Sequence, residues 1–338
     1  MADYIVYHSD ASQNFGDFSI EREQVARVGG ELRLIEPRKP AAELATVMTD
    51  ADAVIVGGAP ITAEVLDSMP NCKVVVRYGV GVDTLDLDAA TERGVICAHV
   101  PDFCWEEVGN HALMLMLATV KNLLPLDRAV RDGTWRPGPL APMQQLHGQT
   151  LGLVAAGHIA QALAKRALAL SMRVIAFDPY IDPDLAAAAG IEIVPTFDAL
   201  LAEADVVSVH TPLADDTRHI IDATALSKMK PTAYLINTSR GPTVDEVALV
   251  DALERGAIAG AGLDVFEIEP LAASSALTEM DNVVLTPHSA SYSDFAFRLL
   301  SRRVGESVVD VLSGHWPRFV ANKAILERLD LQPTRHPD

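Results

Sequence analysis

Short apolar runs rich in Val and Ile alternate along this chain with segments whose apolar residues recur every three to four positions. In the first hundred residues the runs YIVYH (4–8), ELRLIE (31–36), ADAVIVGG (51–58), KVVVRYG (73–79) and GVICAHV (94–100) read as strands, with helical patterns between them. This is the β-α-β rhythm of a parallel sheet. Residues 102–122, DFCWEEVGNHALMLMLATVKN, read as one long helix, with Asp102 as its cap and Glu106 and Glu107 in its first turn. The stretch RDGTWRPGPLAP (131–142) is dense in Pro and Gly and is expected to be a loop. A second series follows: TLGLVAA (150–156), RVIAFD (173–178), IEIV (191–194), DVVSVH (205–210), AYLIN (233–237), IAGAGLDV (258–265) and NVVLTPH (282–288). These runs are almost continuously apolar, as strands buried on both faces must be. A helical pattern over 292–313 leads to HWPRFVANKAIL, and the tail QPTRHPD is expected to be mobile. The fold class expected is α/β, with two doubly wound parallel-sheet units, the second being the larger.

Composition narrows the function classes. At 338 residues and 49 % apolar content the chain has material for two packed cores. A formal charge of −19, with acid and base scattered, argues against nucleic acid or an anionic membrane surface as partner. No apolar stretch approaches the ~20 residues of a membrane span. The opening MADYIVYHSD is a strand pattern, so no signal peptide is expected. Cys72, Cys97 and Cys104 sit in or beside apolar runs without a C-x-x-C spacing, which reads as reduced thiols in a cytoplasmic protein. Glu107 and His111 lie four apart on a helix, but two ligands without a third make no metal site, and none is expected.

The stretch LGLVAAGHIAQALAKRAL (151–168) is a strand turning into a helix, where a nucleotide-binding turn would carry G-x-G-x-x-G. Only the middle glycine, Gly157, remains. It is the one that lets the backbone approach a pyrophosphate, and Ala160 stands at the third position, where alanine is tolerated. Ala155 is the real departure. A negative φ there would accommodate the methyl group, whereas a positive φ would cost roughly 1 kcal/mol or more. Asp178 closes the next strand about twenty residues beyond Gly157, where a carboxylate accepts from both ribose hydroxyls and repels a 2′-phosphate. The cofactor expected is therefore NAD, with NADH preferred over NADPH. His158 in the first helical turn reads either as a phosphate neighbour or as a solvated surface histidine.

Three later segments put chemistry beyond the carboxyl ends of strands, where ligands bind in such sheets. INTSRGPTVDEVALVDAL (236–253) carries Arg240, GAGLDVFEIEP (260–270) carries Asp264, Glu267 and Glu269, and NVVLTPHSASYSD (282–294) carries His288. The set suits hydride transfer to a 2-oxo acid. Arginine grips a carboxylate and keto oxygen by a forked contact. Histidine gives a proton to the nascent alkoxide, and glutamate orients the imidazole. Glu267 reads as the surface acid of its pair, and His210 as a packing residue near the cofactor.

From VVVRYGVGVDTLDLDAATERGVICAHVP (74–101) to WPRFVAN (316–322) the chain resembles the D-isomer-specific 2-hydroxyacid dehydrogenases. The resemblance makes Arg240 of N-T-x-R-G, Glu269 of D-V-F-E-x-E-P and His288 of T-P-H the catalytic set. It implies cofactor contacts at Gly157, His158, Ile159, Asp178, Thr211, Pro212, Thr217, Thr238, Ser239, Arg240, Asp264, His288 and Ala290. The substrate loop R-x-G-x-G-x-D corresponds to Arg77–Asp83, so the substrate contacts implied are Tyr78, the amides of Val80 and Gly81, Arg240 and Ser291. The implied architecture is a discontinuous flavodoxin-like substrate domain, 1–101 with 293–338, into which a Rossmann-type NAD domain, 102–292, is inserted. The helix 102–122 would bridge the two and help build a homodimer.

PDFCWEEVGNHAL, DPY and TPHSASYS resemble the branch that includes the C-terminal-binding-protein corepressors. The alternative to an enzyme acting on a small 2-oxo or 2-hydroxy acid is accordingly an NAD(H)-sensing scaffold of the same fold. Ser291 replaces that branch's tryptophan, which predicts a roomier or more polar substrate pocket unless Trp105 or Phe103 fills the space.

Overall fold

The computed structural model describes residues 2–11, 17–37, 39–135, 140 and 143–336. Pro137, Pro139 and Pro142 of the expected loop, and the last two residues of the tail, lie outside that range. The chain divides into two compact units, Met1–Phe103 with Ser293–Asp338, and Cys104–Tyr292.

In chain order the first unit carries β1 (Tyr4–His8), α1 (Ser19–Ala26), β2 (Gly30–Leu34), α2 (Ala41–Val47), β3 (Ala53–Val56), α3 (Ala63–Asp67), β4 (Val74–Arg77), α4 (Leu87–Glu92) and β5 (Ile96–Ala98). The second carries α5 (Trp105–Val120), α6 (Leu123–Arg131), β6 (Thr150–Val154), α7 (His158–Ala169), β7 (Arg173–Phe177), α8 (Pro183–Ala188), β8 (Glu192–Ile193), α9 (Phe197–Glu203), β9 (Val206–Val209), α10 (Ala223–Lys228), β10 (Tyr234–Asn237), α11 (Glu246–Glu254), β11 (Gly260–Leu263) and β12 (Val283–Leu285). Helix α12 (Asp294–Leu312) returns the chain to the first unit.

Both sheets are parallel. The first runs β2-β1-β3-β4-β5, the flavodoxin-like order. The second runs β12-β11-β10-β9-β6-β7-β8, the doubly wound order of a Rossmann-type domain extended by one strand. Their central strands are buried end to end, AVIV in β3 and VVSV in β9 among them. Helices cover both faces of such a sheet, which is why these strands do not alternate.

Each unit is pinned by close contact between segments distant in the chain. In the second unit helix α5 lies tight on α7 at Gly109, where a Cβ would come within 2.9 Å of the Ala162 Cβ. In the first unit the C-terminal segment closes on β5. The amide of Ala321 donates to the Cys97 carbonyl at 2.7 Å, and the Asn322 side chain serves the Cys97 amide, the Thr91 hydroxyl and the Val95 carbonyl.

Asp102 is not the cap of α5. The cap position falls to Cys104, whose side chain does not cap the helix, and the Asp102 carboxylate instead lies 3.5 Å from Arg303. The turn Pro101–Cys104 delays the helix start beyond the reach of Asp102. The three cysteines are buried and form no disulfide among the described residues, and burial pushes the thiols of Cys72 and Cys97 up to about 12, so neither is a nucleophile. Among the described residues no helix is long and apolar enough to cross a membrane.

Candidate active site

The turn after β6 takes the strained form. Ala155 has φ 72°, in the left-handed region that favours glycine. It is held there because its amide donates to the Phe177 carbonyl at 3.0 Å, while the next amide, Ala156, donates to Asp178 Oδ2 at 2.9 Å. The other oxygen of Asp178 accepts from the amides of Tyr180 and Ile181. One carboxylate thus ties the β6–α7 turn to the turn after β7.

Gly157 caps α7 with φ −66°, and a Cβ added to it would meet nothing within 4 Å. The open space is on the side that a ligand must approach. Gly157 and His158 are exposed, while Ala160 is fully buried. The Trp105 ring stacks on the His158 imidazole, centroids 4.0 Å apart and planes 20° apart, which commits one face of that ring to the cradle.

The first amides of α7 have no helical acceptor and form an anion site. Along the same sheet edge the Thr238 hydroxyl, just past β10, is buried without a partner among the described residues, and Thr211, just past β9, is buried beside Pro212. Thr217 folds the loop back, donating to the Pro212 carbonyl and accepting from the Ala214 amide, each at 2.7 Å. An open helix N-terminus, a carboxylate beside it and an orphaned hydroxyl together fit a dinucleotide.

The loops after β10, β11 and β12 converge. Gly241 lies so close to the peptide joining Phe266 and Glu267 that no side chain fits, and this packs the Arg240 loop on the Glu269 loop. Asn237 accepts from the Ser239 amide and hydroxyl and donates to the Arg240 carbonyl, fixing the backbone from which Arg240 projects. The Arg240 guanidinium donates to the Ser239 carbonyl at 2.8 Å. Glu269 Oε1 accepts from the Phe266 amide, and Oε2 lies 2.7 Å from His288 Nδ1. A carboxylate can only accept here, so Nδ1 carries the hydrogen and Nε2 is left for chemistry.

His288 also has a left-handed backbone, φ 52°, and its amide donates to the Asp264 carbonyl at 2.7 Å. The Asp264 side chain completes the hold. It is fully buried, takes the Thr286 hydroxyl and the Ser289 amide on Oδ1 and the Ala290 amide on Oδ2, and has His111 Nε2 at 3.4 Å. Burial alone would raise this carboxyl, but the hydrogen bonds from His111, Thr286 and the two amides outweigh it and hold it below its ordinary range.

Asp264 and Ala290 were expected as cofactor contacts. In the structure the Asp264 carboxylate and the Ala290 amide are spent on each other, clamping the histidine loop. His111 and Thr286, 2.9 Å apart, belong to the same clamp, and sequence spacing alone gives no sign of it. Glu267 is not a bare surface acid either. It pairs with His219 at 2.6 Å and accepts from the Glu246 amide.

In the first unit Tyr78 points inward. Its hydroxyl is 2.9 Å from Glu21 and 2.6 Å from Ser301, and its amide donates to the Val56 carbonyl, so both groups are engaged within the first unit. Val80 and Gly81 follow it on a partly exposed loop. Phe103 is buried there, while Ser291, in the second unit, is half-buried.

Residues 113–290 match the family model described as the D-isomer specific 2-hydroxyacid dehydrogenase, NAD binding domain. The chain belongs to this family. The dehydrogenase is 38 % identical to a glyoxylate reductase of Korarchaeum cryptofilum over 87 % of its own length and 86 % of that protein. It is 41 % identical to a D-3-phosphoglycerate dehydrogenase of Mycobacterium leprae over 81 % of its length, spanning about half, 52 %, of that longer chain. Among solved structures it is similar to an NADPH-dependent glyoxylate/hydroxypyruvate reductase of Sinorhizobium meliloti, with TM-score 0.83, 31 % identity, and 95 % and 97 % of the two chains covered. It is thus an oxidoreductase of the NAD(P)-dependent 2-hydroxyacid dehydrogenase family.

Proposed function

We propose that this dehydrogenase works as a 2-oxoacid reductase with NADH as its preferred cofactor. The observation that carries the reading is the Glu269–His288 pair, 2.7 Å apart, on loops packed against the Arg240 loop. Glu269 keeps one hydrogen on Nδ1 and orients the ring, so the doubly protonated imidazolium gives its Nε2 proton to the oxygen at substrate C2 and is left as the neutral Nδ1–H form. Arg240 takes the carboxylate and keto oxygen through its fork, polarising the carbonyl before reaction. In the first unit the amides of Val80 and Gly81 would bind a substrate carboxylate.

Gly157, His158 and Ile159 would cradle the pyrophosphate, Asp178 the ribose hydroxyls, and Thr211, Pro212, Thr217, Thr238 and Ser239 the remaining wall. Bound there, the reduced nicotinamide supplies the hydride. Asp178 favours NADH because a 2′-phosphate would meet its carboxylate. The names of the relatives point to glyoxylate, hydroxypyruvate and D-3-phosphoglycerate, and Ser291 in place of a tryptophan argues for room in the pocket. The intact set of Arg240, Glu269 and His288 argues for chemistry over a dinucleotide-sensing scaffold of the corepressor kind, and turnover decides between them.

A homodimer fits the exposed apolar side chains of α5, α6 and the segment after them, namely Met114, Leu123, Leu124, Val130, Trp135 and Met143. The deciding experiment is titration of the purified protein with NADH and, separately, NADPH, followed by turnover of glyoxylate, hydroxypyruvate and bulkier 2-oxo acids. Tight NADH and weak NADPH binding with turnover supports the reading. Binding of neither overturns it, and binding without turnover of any 2-oxo acid favours the scaffold.

A further inference from the structure

The loop after β4 is held by a histidine that no part of the catalytic set accounts for. His99, one residue past β5, has Nδ1 2.8 Å from the Val80 carbonyl oxygen. A carbonyl only accepts, so Nδ1 carries the hydrogen and donates it. The ring is braced from behind by Phe319, edge-on at 6.3 Å and 80°, on the C-terminal segment that closes over β5. A second bond runs alongside, from the Val100 amide to the Gly79 carbonyl at 3.0 Å. Gly79 has φ 147°, a conformation that side chains rarely adopt, so the loop relies on a glycine and on this outside grip for its shape.

The consequence lies in the peptide plane. In a trans peptide the carbonyl oxygen and the following N–H point to opposite sides. Holding the Val80 oxygen toward His99 therefore turns the Gly81 N–H the other way. The amides of Val80 and Gly81 donate to no acceptor among the described residues. Two successive unengaged N–H groups on this loop are donors open to an anion.

We infer that His99 is a positioning residue for the substrate carboxylate, orienting the Gly81 amide through its bond to the Val80 carbonyl. The inference rests on the 2-oxoacid reductase reading. It also ties the C-terminal segment to the substrate loop through Phe319. Burial holds the imidazole below its ordinary range, so the ring stays neutral near pH 7 and acts through geometry rather than charge.

The test uses the full-length protein with glyoxylate as substrate probe and oxalate, in the presence of NADH, as binding probe. His99→Ala is expected to raise the KM for glyoxylate and the Kd for oxalate by about tenfold, the worth of one hydrogen bond in a carboxylate site. kcat and the NADH Kd should stay near their original values. His99→Phe keeps the ring against Phe319 without the donor and should behave the same, which keeps the test open if the alanine variant folds poorly. His99→Asn, whose amide nitrogen falls about where Nδ1 stood, should restore most of the affinity.

Unchanged KM and oxalate affinity in the Ala and Phe variants would overturn the inference, as would a parallel loss of NADH affinity, which would mark a general structural role. An original protein that binds NADH but neither reduces a 2-oxo acid nor binds oxalate would instead bring down the reading on which the inference stands.

Discussion

A Cβ built on Gly241 would sit 1.9 Å from the carbonyl carbon and oxygen of Phe266. The Arg240 loop and the Glu269 loop are in backbone contact there, with the Glu267 amide 2.5 Å from the same point. No rotamer relieves that overlap, because the obstacle is main chain. Gly241→Ala must push the two loops apart. It is expected to destabilise the second unit by about 2 kcal/mol or more and to lower kcat/KM by roughly a hundredfold. Thermal melting and steady-state kinetics would check this. A variant with native melting and native turnover would mean that the loop contact does not hold the site together.

The Glu269–His288 bond can be weakened without changing its shape. Glu269→Gln retains an acceptor for Nδ1 but loses the charge and admits the wrong amide orientation. We expect kcat/KM for 2-oxoacid reduction to fall by about ten- to a hundredfold, and His288→Asn to cost about a thousandfold, both within the range of general acid catalysis. NADH affinity measured by fluorescence should fall far less than turnover in both variants. A matching fall in NADH affinity would assign the pair to cofactor binding rather than proton delivery.

Much of this architecture is legible in the chain because parallel strands buried on both faces are almost pure Val, Ile, Leu and Ala. Runs such as VVVR in β4 and YLIN in β10 have no competing helical reading. Arg240, Glu269 and His288 are legible for another reason: each falls a few residues past such a run, where a parallel sheet presents its ligands. What stays hidden depends on partners distant in sequence. Asp264 looks like a site carboxylate until His111, Thr286 and the amides of Ser289 and Ala290 are seen around it. Glu267 needs His219, and Asp102 needs Arg303. The φ of Ala155 is invisible as well, since the amide that fixes it bonds to Phe177 on a different strand.

That φ of 72° makes a simple prediction. An alanine in the left-handed region costs about 1–2 kcal/mol, while glycine there loses about 0.5–1 kcal/mol of extra chain entropy on folding. Ala155→Gly should therefore raise stability by up to about 1 kcal/mol, and it should not weaken NADH binding. Ala155→Val should do the opposite on both counts. Melting curves and NADH titration of the two variants decide it. A lower melting point for the glycine variant would mean that the turn is not strained.

Acid should loosen the first unit in a definite window. His8 is fully buried with neither ring nitrogen hydrogen-bonded among the described residues, and burial pulls it down to about 4. In the unfolded chain it titrates near 6.5. Between those values the unfolded chain takes up a proton that the folded chain refuses. Stability is thus full above about pH 6.5 and falls as pH drops toward 4, by at most about 3 kcal/mol. His210 in the second unit, also drawn down to about 4 by burial, adds a loss of the same sign. His8→Phe, with Phe18 and Tyr78 as aromatic neighbours, should flatten the first unit's share of the slope in urea unfolding at pH 7 and pH 5. An unchanged slope in that variant would remove His8 as its source.

Asp178 sits where cofactor choice and turn structure meet, so its replacement should produce two separable effects. Its charge would oppose a 2′-phosphate, and removing it should improve the NADPH-to-NADH affinity ratio by about tenfold or more, since a like-charge contact costs at least 1.4 kcal/mol. Its oxygens also accept from the amides of Ala156, Tyr180 and Ile181, bonds that shape the turn whichever cofactor is bound. Asp178→Ala should therefore weaken NADH binding strongly and gain NADPH only in relative terms. Asp178→Asn, which keeps an acceptor on the turn without the charge, should lose less NADH affinity while shifting the ratio in the same direction. The informative comparison is the two Kd values for each variant. If Asn and Ala variants lose NADH equally, the bonds to the turn are unimportant. If the ratio stays fixed in both, the carboxylate does not face the ribose and does not set the choice of cofactor.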